Sequence, residues 1–328
     1  MKKVLVLMLV LALAAVMAIG LVACDKKDGD KEVKTLRVAA PEGTPALAIC
    51  SLVTNNKTID GFNMEYEVVA PANIATEMGA AKADVVIMPI NAGANLIANK
   101  GAQYKLVSIA VNGSLYLIGN KEGSNVITLD DIKGKTVACI GQGAVPGLTF
   151  SYILKANNIE VVTEGTPSTS QVKIVWAADG SAANAAVAGH TADYAVVGEP
   201  AATALSAKVG YNARMDIQAL YNAAVGAETS YPQAGLFVKS ELANNGTFMA
   251  ALFAALEQNK TWISENKANI TAYAQENLYA SAAFPAGAID RCAVNCARLN
   301  YESQASIITF LKNIMPAVDW DSKKDVIF

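Results

Sequence analysis

The sequence predicts an α/β protein of two similar lobes, each a mostly parallel sheet flanked by helices, with a crevice between them. Three observations predict it. An acidic motif precedes a short apolar run twice: Ala81-Lys82-Ala83-Asp84 before Val85-Val86-Ile87-Met88 and Pro89, and Gly189-His190-Thr191-Ala192-Asp193 before Tyr194-Ala195-Val196-Val197-Gly198 and Glu199-Pro200. Upstream of each, a strand-like run breaks into a Gly/Pro loop: 36–40 into Pro41-Glu42-Gly43-Thr44-Pro45, and 136–140 into Gly141-Gln142-Gly143-Ala144-Val145-Pro146. Between these marks, strand-like and helix-like segments alternate, which argues for parallel sheets with crossover helices.

Taken in order, strand 36–40 leads through its loop to a helix over 45–53, and strand 64–70 turns at Pro71 into a helix over 74–82. The buried strand 85–88 passes through Pro89-Ile90-Asn91 to a helix over 92–99. Strands 107–111 and 115–120 follow, the second opening the other lobe. There the plan repeats, with a capped helix and turn over 128–135, strand 136–140, loop 141–146, helix 148–157 and strand 172–176. The alanine-rich helix 182–188 stops at Gly189, strand 194–197 runs into Gly198-Glu199-Pro200, and 233–239 is the return strand. Helices over 248–265, 267–276, 286–300 and 304–314 then cover a sheet face, with Pro316 ending the last. Trp262 and Phe310 are placed in the core.

The amino terminus reads differently. Lys2-Lys3 precede an uncharged run from Val4 to Ala23, an export signal with small residues before its cleavage point. The same run is long enough to span a bilayer, so a retained anchor is the alternative. The tetrad Leu21-Val22-Ala23-Cys24 resembles the lipobox of bacterial lipoproteins, which implies cleavage after residue 23 and lipidation of Cys24. Several acyl chains on one residue hold a protein firmly at a membrane surface. Residues 24–34 are then a lipidated cysteine and a charged tether with too little apolar surface to fold. Roughly 290 residues remain from Thr35 onward, enough for two domains.

Composition excludes several functions. The formal net charge of −3 becomes more negative once Lys2 and Lys3 are removed, so no basic footprint for nucleic acid exists. Besides Cys24 there are Cys50, Cys139, Cys292 and Cys296. An exported protein can oxidise such thiols, so they are buried free thiols or include one disulfide. Cys292 and Cys296, four apart, share one face of the helix expected at 286–300. A metal site is not expected, because the chain has one histidine. That residue, His190, lies in a turn with no nucleophile motif beside it. No phosphate loop, zinc signature or full dinucleotide fingerprint is present.

In open parallel α/β sheets, ligands bind outside the carboxyl ends of strands, where loops lead into helices. Four loops qualify, two from each lobe. Gly141-Gln142-Gly143-Ala144 permits close backbone approach and aims helix N–H groups at the crevice. Glu42-Gly43-Thr44 does the same from the other side, with Thr44 as helix cap, ligand donor or both. Glu199 follows an apolar strand and either accepts hydrogen bonds from a ligand, closes onto the opposite lobe, or caps the next helix. Asn91 matches it in lobe one. Trp176 either stacks on a ligand ring or packs beneath its loop, and Arg214 is a candidate on the hinge side.

With those elements in place, the chain resembles the bacterial substrate-binding lipoproteins that deliver small molecules to ABC importers. The branch it looks like holds the nitrate, sulfonate and taurine binders and the pyrimidine-precursor binders of thiamine synthesis. The resemblance covers Thr35 to about Gln275. It rests on Leu129-Asp130-Asp131-Ile132-Lys133-Gly134-Lys135-Thr136-Val137, on Ala188-Gly189-His190-Thr191-Ala192-Asp193-Tyr194-Ala195-Val196, and on Glu199-Pro200. It implies a type II periplasmic-binding-protein fold, with lobe one at 35–112 plus 236–328, lobe two at 113–235, and the C-terminal helices on lobe one. Two strand crossovers join the lobes, which close on ligand as a hinged trap.

The expected function is an extracytoplasmic lipoprotein that binds a small polar or anionic organic solute and passes it to an ABC permease. The solute classes implied are sulfonate, nitrate-like or pyrimidine-precursor. Neither cofactor nor catalysis is expected, and the chain is expected to be a monomer. Two rival readings stand beside this one. Related two-lobed proteins include cytosolic enzymes of pyrimidine-precursor and menaquinone pathways, and a ligand-sensing module for a membrane receptor would use the same fold.

Overall fold

Short apolar runs become buried strands throughout the computed structural model, which describes residues 33–228 and 230–328. The expected export signal, Cys24 and the charged segment as far as Glu32 lie outside the described residues. In chain order the strands are β1 (Thr35–Pro41), β2 (Thr58–Ile59), β3 (Phe62–Val69), β4 (Val85–Pro89), β5 (Tyr104–Asn112) and β6 (Leu115–Gly119). They continue with β7 (Thr136–Ile140), β8 (Glu160–Val162), β9 (Gln171–Ala177), β10 (Tyr194–Gly198), β11 (Ala213–Asp216), β12 (Pro232–Lys239) and β13 (Val294–Arg298). Two sheets result, ordered β13-β5-β12-β4-β1-β3-β2 and β11-β6-β10-β7-β9-β8. All of Thr35–Phe328 forms one unit by its internal contacts.

Both sheets are mixed. Parallel pairing joins β1 to β3 and β4, β7 to β9 and β10, and β8 to β9. Antiparallel pairing brings in β2, β5, β12 and β13 on one sheet and β6 and β11 on the other. The parallel strands are the ones that bear the loops singled out above. They are covered on both faces, which is why Val85–Met88 and Tyr194–Val197 read as unbroken apolar runs, buried at every residue.

The repeated acidic motif has a structural meaning. In the first sheet Asp84 N donates to Arg37 O at 2.7 Å, while Asp84 Oδ2 accepts from Arg37 N at 2.8 Å. In the second sheet Asp193 N donates to Thr136 O at 2.8 Å, and Asp193 Oδ2 accepts from Thr136 N at 2.8 Å. Each aspartate therefore pins the entry of one central strand to its parallel neighbour, setting Val38 opposite Val85 and Val137 opposite Tyr194. The two differ in burial. The Asp84 side chain is 11% exposed and also meets Lys239 Nζ at 2.9 Å, whereas the Asp193 side chain is 43% exposed.

The chain passes between the sheets at Gly113-Ser114, just after β5, and again before β12. These crossings lie side by side: Gly113 N donates to Tyr231 O at 2.9 Å and Ser114 N to Gln233 Oε1 at 3.0 Å. A Cβ on Gly113 would sit 2.4 Å from the Tyr231 ring, so only glycine fits this approach. Segment 201–209 forms the helix Ala201–Val209, and 217–225 forms the helix Ile217–Val225, N-capped by Asp216.

Two expected helices are corrected. The segment 45–53 divides into Thr44–Leu47 and Leu52–Asn55. Between them the wholly buried Asn259 takes over the backbone groups, accepting from Ser51 N at 2.8 Å and donating to Leu47 O and Ala48 O at 3.1 and 2.9 Å. The segment 286–300 is a 3₁₀ helix, Ala286–Cys292, followed by β13. Ala293 and Cys296 adopt φ of 52° and 57°, which an α-helix cannot accommodate, and β13 covers an edge that β5 would otherwise expose. Cys292 and Cys296 therefore do not share a helix face. Like Cys50 and Cys139, they are buried free thiols.

The C-terminal helices do more than cover one sheet. Gly246–Glu265 buries Phe248, Met249, Leu252, Leu256 and Ile263, but helix Tyr301–Ile314 reaches the elements of the second sheet. Phe310 stacks on Tyr231 with ring centroids 5.4 Å apart and meets Tyr221 edge-on at 5.5 Å. Trp262, half-buried, tilts against Tyr273 at 4.6 Å.

Burial sets the expected cost of losing each aspartate. Asp84→Ala leaves a buried strand entry and Lys239 without their acceptor and should cost about 2–3 kcal/mol in urea unfolding. Asp193→Ala, at an exposed equivalent, should cost less than about 1 kcal/mol. Equal losses would show that the motif's burial does not decide its role.

Candidate functional site

The loops after β1, β4, β7 and β10 meet tip to tip. After β1, Gly43 adopts φ 90° and ψ −148°, a conformation closed to side-chain-bearing residues, and starts the short helix Thr44–Leu47. Gly43 N donates to the Tyr279 hydroxyl at 3.1 Å, and burial pushes that hydroxyl up to about 12. Thr44 does not cap its helix. Its hydroxyl reaches across and donates to Glu199 O at 2.6 Å, in a buried contact between the two sheets' loops.

The second bridge joins β4 to β7. Asn91 lies in the first turn of the helix Ile90–Lys100, and its Nδ2 donates to Gly143 O at 3.0 Å. The residue is 2% exposed, yet its Oδ1 has no hydrogen-bond partner. Gly141 and Gly143 both adopt positive φ, at 74° and 73°. Gly141 O accepts from Ala144 N and Gly147 N, which turns the chain into the helix Val145–Ala156. Gln142 and Gly143 are exposed, as is Glu42, while Ala144 is half-buried. Trp176 packs beneath this loop: a Cβ on Gly147 would fall 2.7 Å from its ring.

Glu199, its side chain wholly buried, is the most heavily engaged residue of the set. Its backbone N donates to Ser114 O at 2.8 Å. Its carboxylate accepts from Thr203 N at 3.0 Å, so it caps the next helix from inside. The Thr203 hydroxyl donates to Oε1 at 2.8 Å and Arg291 Nε donates to the same oxygen at 2.7 Å, while Arg291 Nη2 donates to Thr203 Oγ1 at 2.6 Å. Arg214 Nη1 stands 3.6 Å from Oε1. Glu199 therefore caps the next helix as a buried rather than a surface acid, and it contacts Arg291 from the segment that leads into β13.

Arg291 was invisible to sequence reasoning, which placed it on a helix covering a sheet. The available signal was scarcity: the chain has only Arg37, Arg214, Arg291 and Arg298, and a buried carboxylate favours a hydrogen-bonded cation beside it. Arg214 and Arg291 also line a cavity of about 1080 Å³, together with Tyr116 and Asp216. A smaller cavity of about 440 Å³ surrounds the exposed turn of His190, with Thr136 and Asp193, at the far end of β7 and β10.

Nucleophilic chemistry finds little support in the thiols. Burial pushes Cys50 and Cys296 up to about 12, and it does the same to Cys292 despite a hydrogen bond with Thr44. Cys139 is raised by burial as well. Among the described residues, no group of three or more His, Cys, Asp or Glu side chains is placed to hold a metal ion. No helix of the described residues is long and apolar enough to cross a membrane.

No protein-family profile matches the sequence, and no curated protein does. Solved structures do match the chain's architecture. A protein described as an ABC transporter from Parabacteroides distasonis aligns with a TM-score of 0.68 at 18% identity, over 88% of this chain and 95% of that one. The periplasmic aliphatic sulphonate binding protein from Escherichia coli gives 0.60 at 13% identity, over 87% and 92%. The periplasmic nitrate-binding protein from Synechocystis gives 0.60 at 15%, over 90% and 85%. The fold is that of a periplasmic binding protein. In this example of the periplasmic-binding-protein fold, Thr44 meets Glu199 and Asn91 meets Gly143, so all four loops converge.

Two outcomes follow from this geometry. Asn259→Ala removes three buried hydrogen bonds from the backbone of 47–51 and should cost about 2–4 kcal/mol by chemical denaturation, with exchange of the Ser51 amide accelerated. Because the thiols are raised, they stay protonated up to their shifted values. Iodoacetamide at pH 8 should leave all four unmodified in the folded protein, and prompt labelling of any of them would contradict that assignment.

Proposed function

We propose that the chain is an extracytoplasmic solute-binding lipoprotein that captures a small polar or anionic organic molecule and delivers it to an ABC importer. The observation that carries the proposal is the pairing of loops across the two sheets, Thr44 with Glu199 and Asn91 with Gly143. Support also comes from the fold and from the names of its structural neighbours, which include sulphonate-binding and nitrate-binding proteins. Tethering through Cys24 at the outer face of the cell membrane rests on the Leu21-Val22-Ala23-Cys24 tetrad alone. On this reading the lobes are 35–112 plus 236–328 and 113–235, the chain acts as a monomer, and its partner is the permease.

The solute contacts are assigned to Glu42, Gly43, Thr44, Asn91, Gln142, Gly143 and Ala144. Asn91 Oδ1 is the natural acceptor for a solute N–H or O–H, since a buried amide oxygen without a partner costs free energy that a donor would recover. Glu199 serves the same site as its closing contact. No step of bond making or breaking is assigned to any of these groups. Binding favours the shut arrangement through contacts that exist only when both sets of loops close on the solute.

Titration calorimetry against alkanesulfonates, nitrate, pyrimidines and aromatic acids tests the proposal, alongside mass spectrometry of the solute carried through purification. One class should bind, and Asn91→Leu should weaken it at least tenfold, about 1.4 kcal/mol. Silence across the whole panel together with no co-purifying solute would refute the reading.

A further inference from the structure

The arginines around Glu199 come from opposite sides of the junction. Arg291 lies in the last turn of the 3₁₀ helix Ala286–Cys292, which leads through Ala293 into β13 and so belongs to the first sheet through the pairing of Val294 with Val111. Arg214 lies on β11, paired with Ile118 of β6, and β6 is also the neighbour of β10, whose end carries Glu199. Glu199 and Arg214 are therefore held on one rigid sheet, whereas Arg291 is attached to the other. A carboxylate with no exposed side-chain surface requires a cation beside it.

In the structure Arg291 holds the shorter contact, 2.7 Å to Oε1 with a second bond to Thr203. Arg214 Nη1 forms the longer ion pair, 3.6 Å to the same oxygen, with its guanidinium carbon 5.5 Å from the centroid of the Tyr116 ring. Both arginines line the cavity of about 1080 Å³. The aromatic face stabilises this second cation without neutralising it.

We propose that Glu199 is exchanged between two positioning residues, Arg291 when the sheets are shut and Arg214 when they part. Arg291 thereby latches the two sheets through protein groups alone, and Arg214 keeps the buried carboxylate compensated after the latch opens. The inference rests on the solute-capture reading, because opening and closing have a purpose only there. It goes beyond that reading by naming which side chains set the balance between open and shut forms. The required motion needs no new contact. Separation of the sheets parts Arg291 from Glu199, together with the Thr44–Glu199 and Asn91–Gly143 bonds, while β6 keeps Arg214 beside Glu199.

The test uses the protein with no solute added, so that its outcome does not depend on identifying the ligand. Small-angle scattering and amide hydrogen exchange are compared for Arg291→Gln, Arg214→Gln, the double variant, and each of these with Glu199→Gln. Arg291→Gln should enlarge the radius of gyration and speed exchange of amides in 43–50 and 199–205 at least tenfold. Arg214→Gln alone should leave the radius unchanged. The double variant should lose more stability in urea than the two single losses combined, and Glu199→Gln should remove that excess by removing the orphaned charge. Arg291→Lys should restore part of the closed population, and Arg291→Met replaces Arg291→Gln if that variant does not fold. An unchanged radius and exchange rate for Arg291→Gln, or strictly additive losses in the double variant, would overturn the exchange while leaving solute capture untouched. Failure of every solute to bind, with the scattering result as expected, would instead overturn the capture reading.

Discussion

A wholly buried carboxylate at the meeting point of two sheets constrains everything around it. Glu199 stands where β10 ends, and its charge is compensated by groups drawn from both sides of the junction. The same residue offers its backbone carbonyl to Thr44. One position thus links the loop after β1, the loop after β10, the helix Ala201–Val209 and the 3₁₀ helix Ala286–Cys292. Each of these elements supplies a partner to a desolvated carboxylate or backbone group, and leaving such a group with none costs far more than a surface contact gains.

The two halves reach this meeting point by the same construction. Asp84 and Asp193 anchor strand entries, so that the opposite, carboxyl ends of β1, β4, β7 and β10 carry the glycine, asparagine and glutamate loops. The anchors lie at one end of each sheet and the loops at the other, which separates the aspartates that set strand register from the loop tips. Asn259 performs a comparable service for the first loop. It replaces helical hydrogen bonds between Leu47 and Ser51 and thereby sets Thr44 at the junction.

Much of this was legible in the order of residues. Strands with continuous apolar faces, such as Val85–Met88, declare themselves because burial on both sides leaves no polar alternation. The loops at 41–45 and 141–146 were visible because glycine and proline mark places where the chain must turn sharply. The meeting of the four loops was legible by the same logic, since loops at the carboxyl ends of parallel strands converge. Less legible was the segment 286–300, whose alanines favour a helix. Its conformation depends on β5, distant in the chain, offering an edge that the local sequence does not register. Arg291 was hidden for the same reason, being placed on the wrong element.

The sequence by itself determined the alternation of strands and helices, the doubled plan, and the residue types at the loop tips, because these follow from local stereochemistry and from burial patterns. Tertiary structure alone decided that Glu199 would be closed over by Arg291, that Asn91 would meet Gly143, and that Asn259 would hold the turn beneath Thr44. Each of those contacts joins residues far apart in the chain, and its partner is chosen by how the sheets face each other. Local propensity carries no information about that distance or direction.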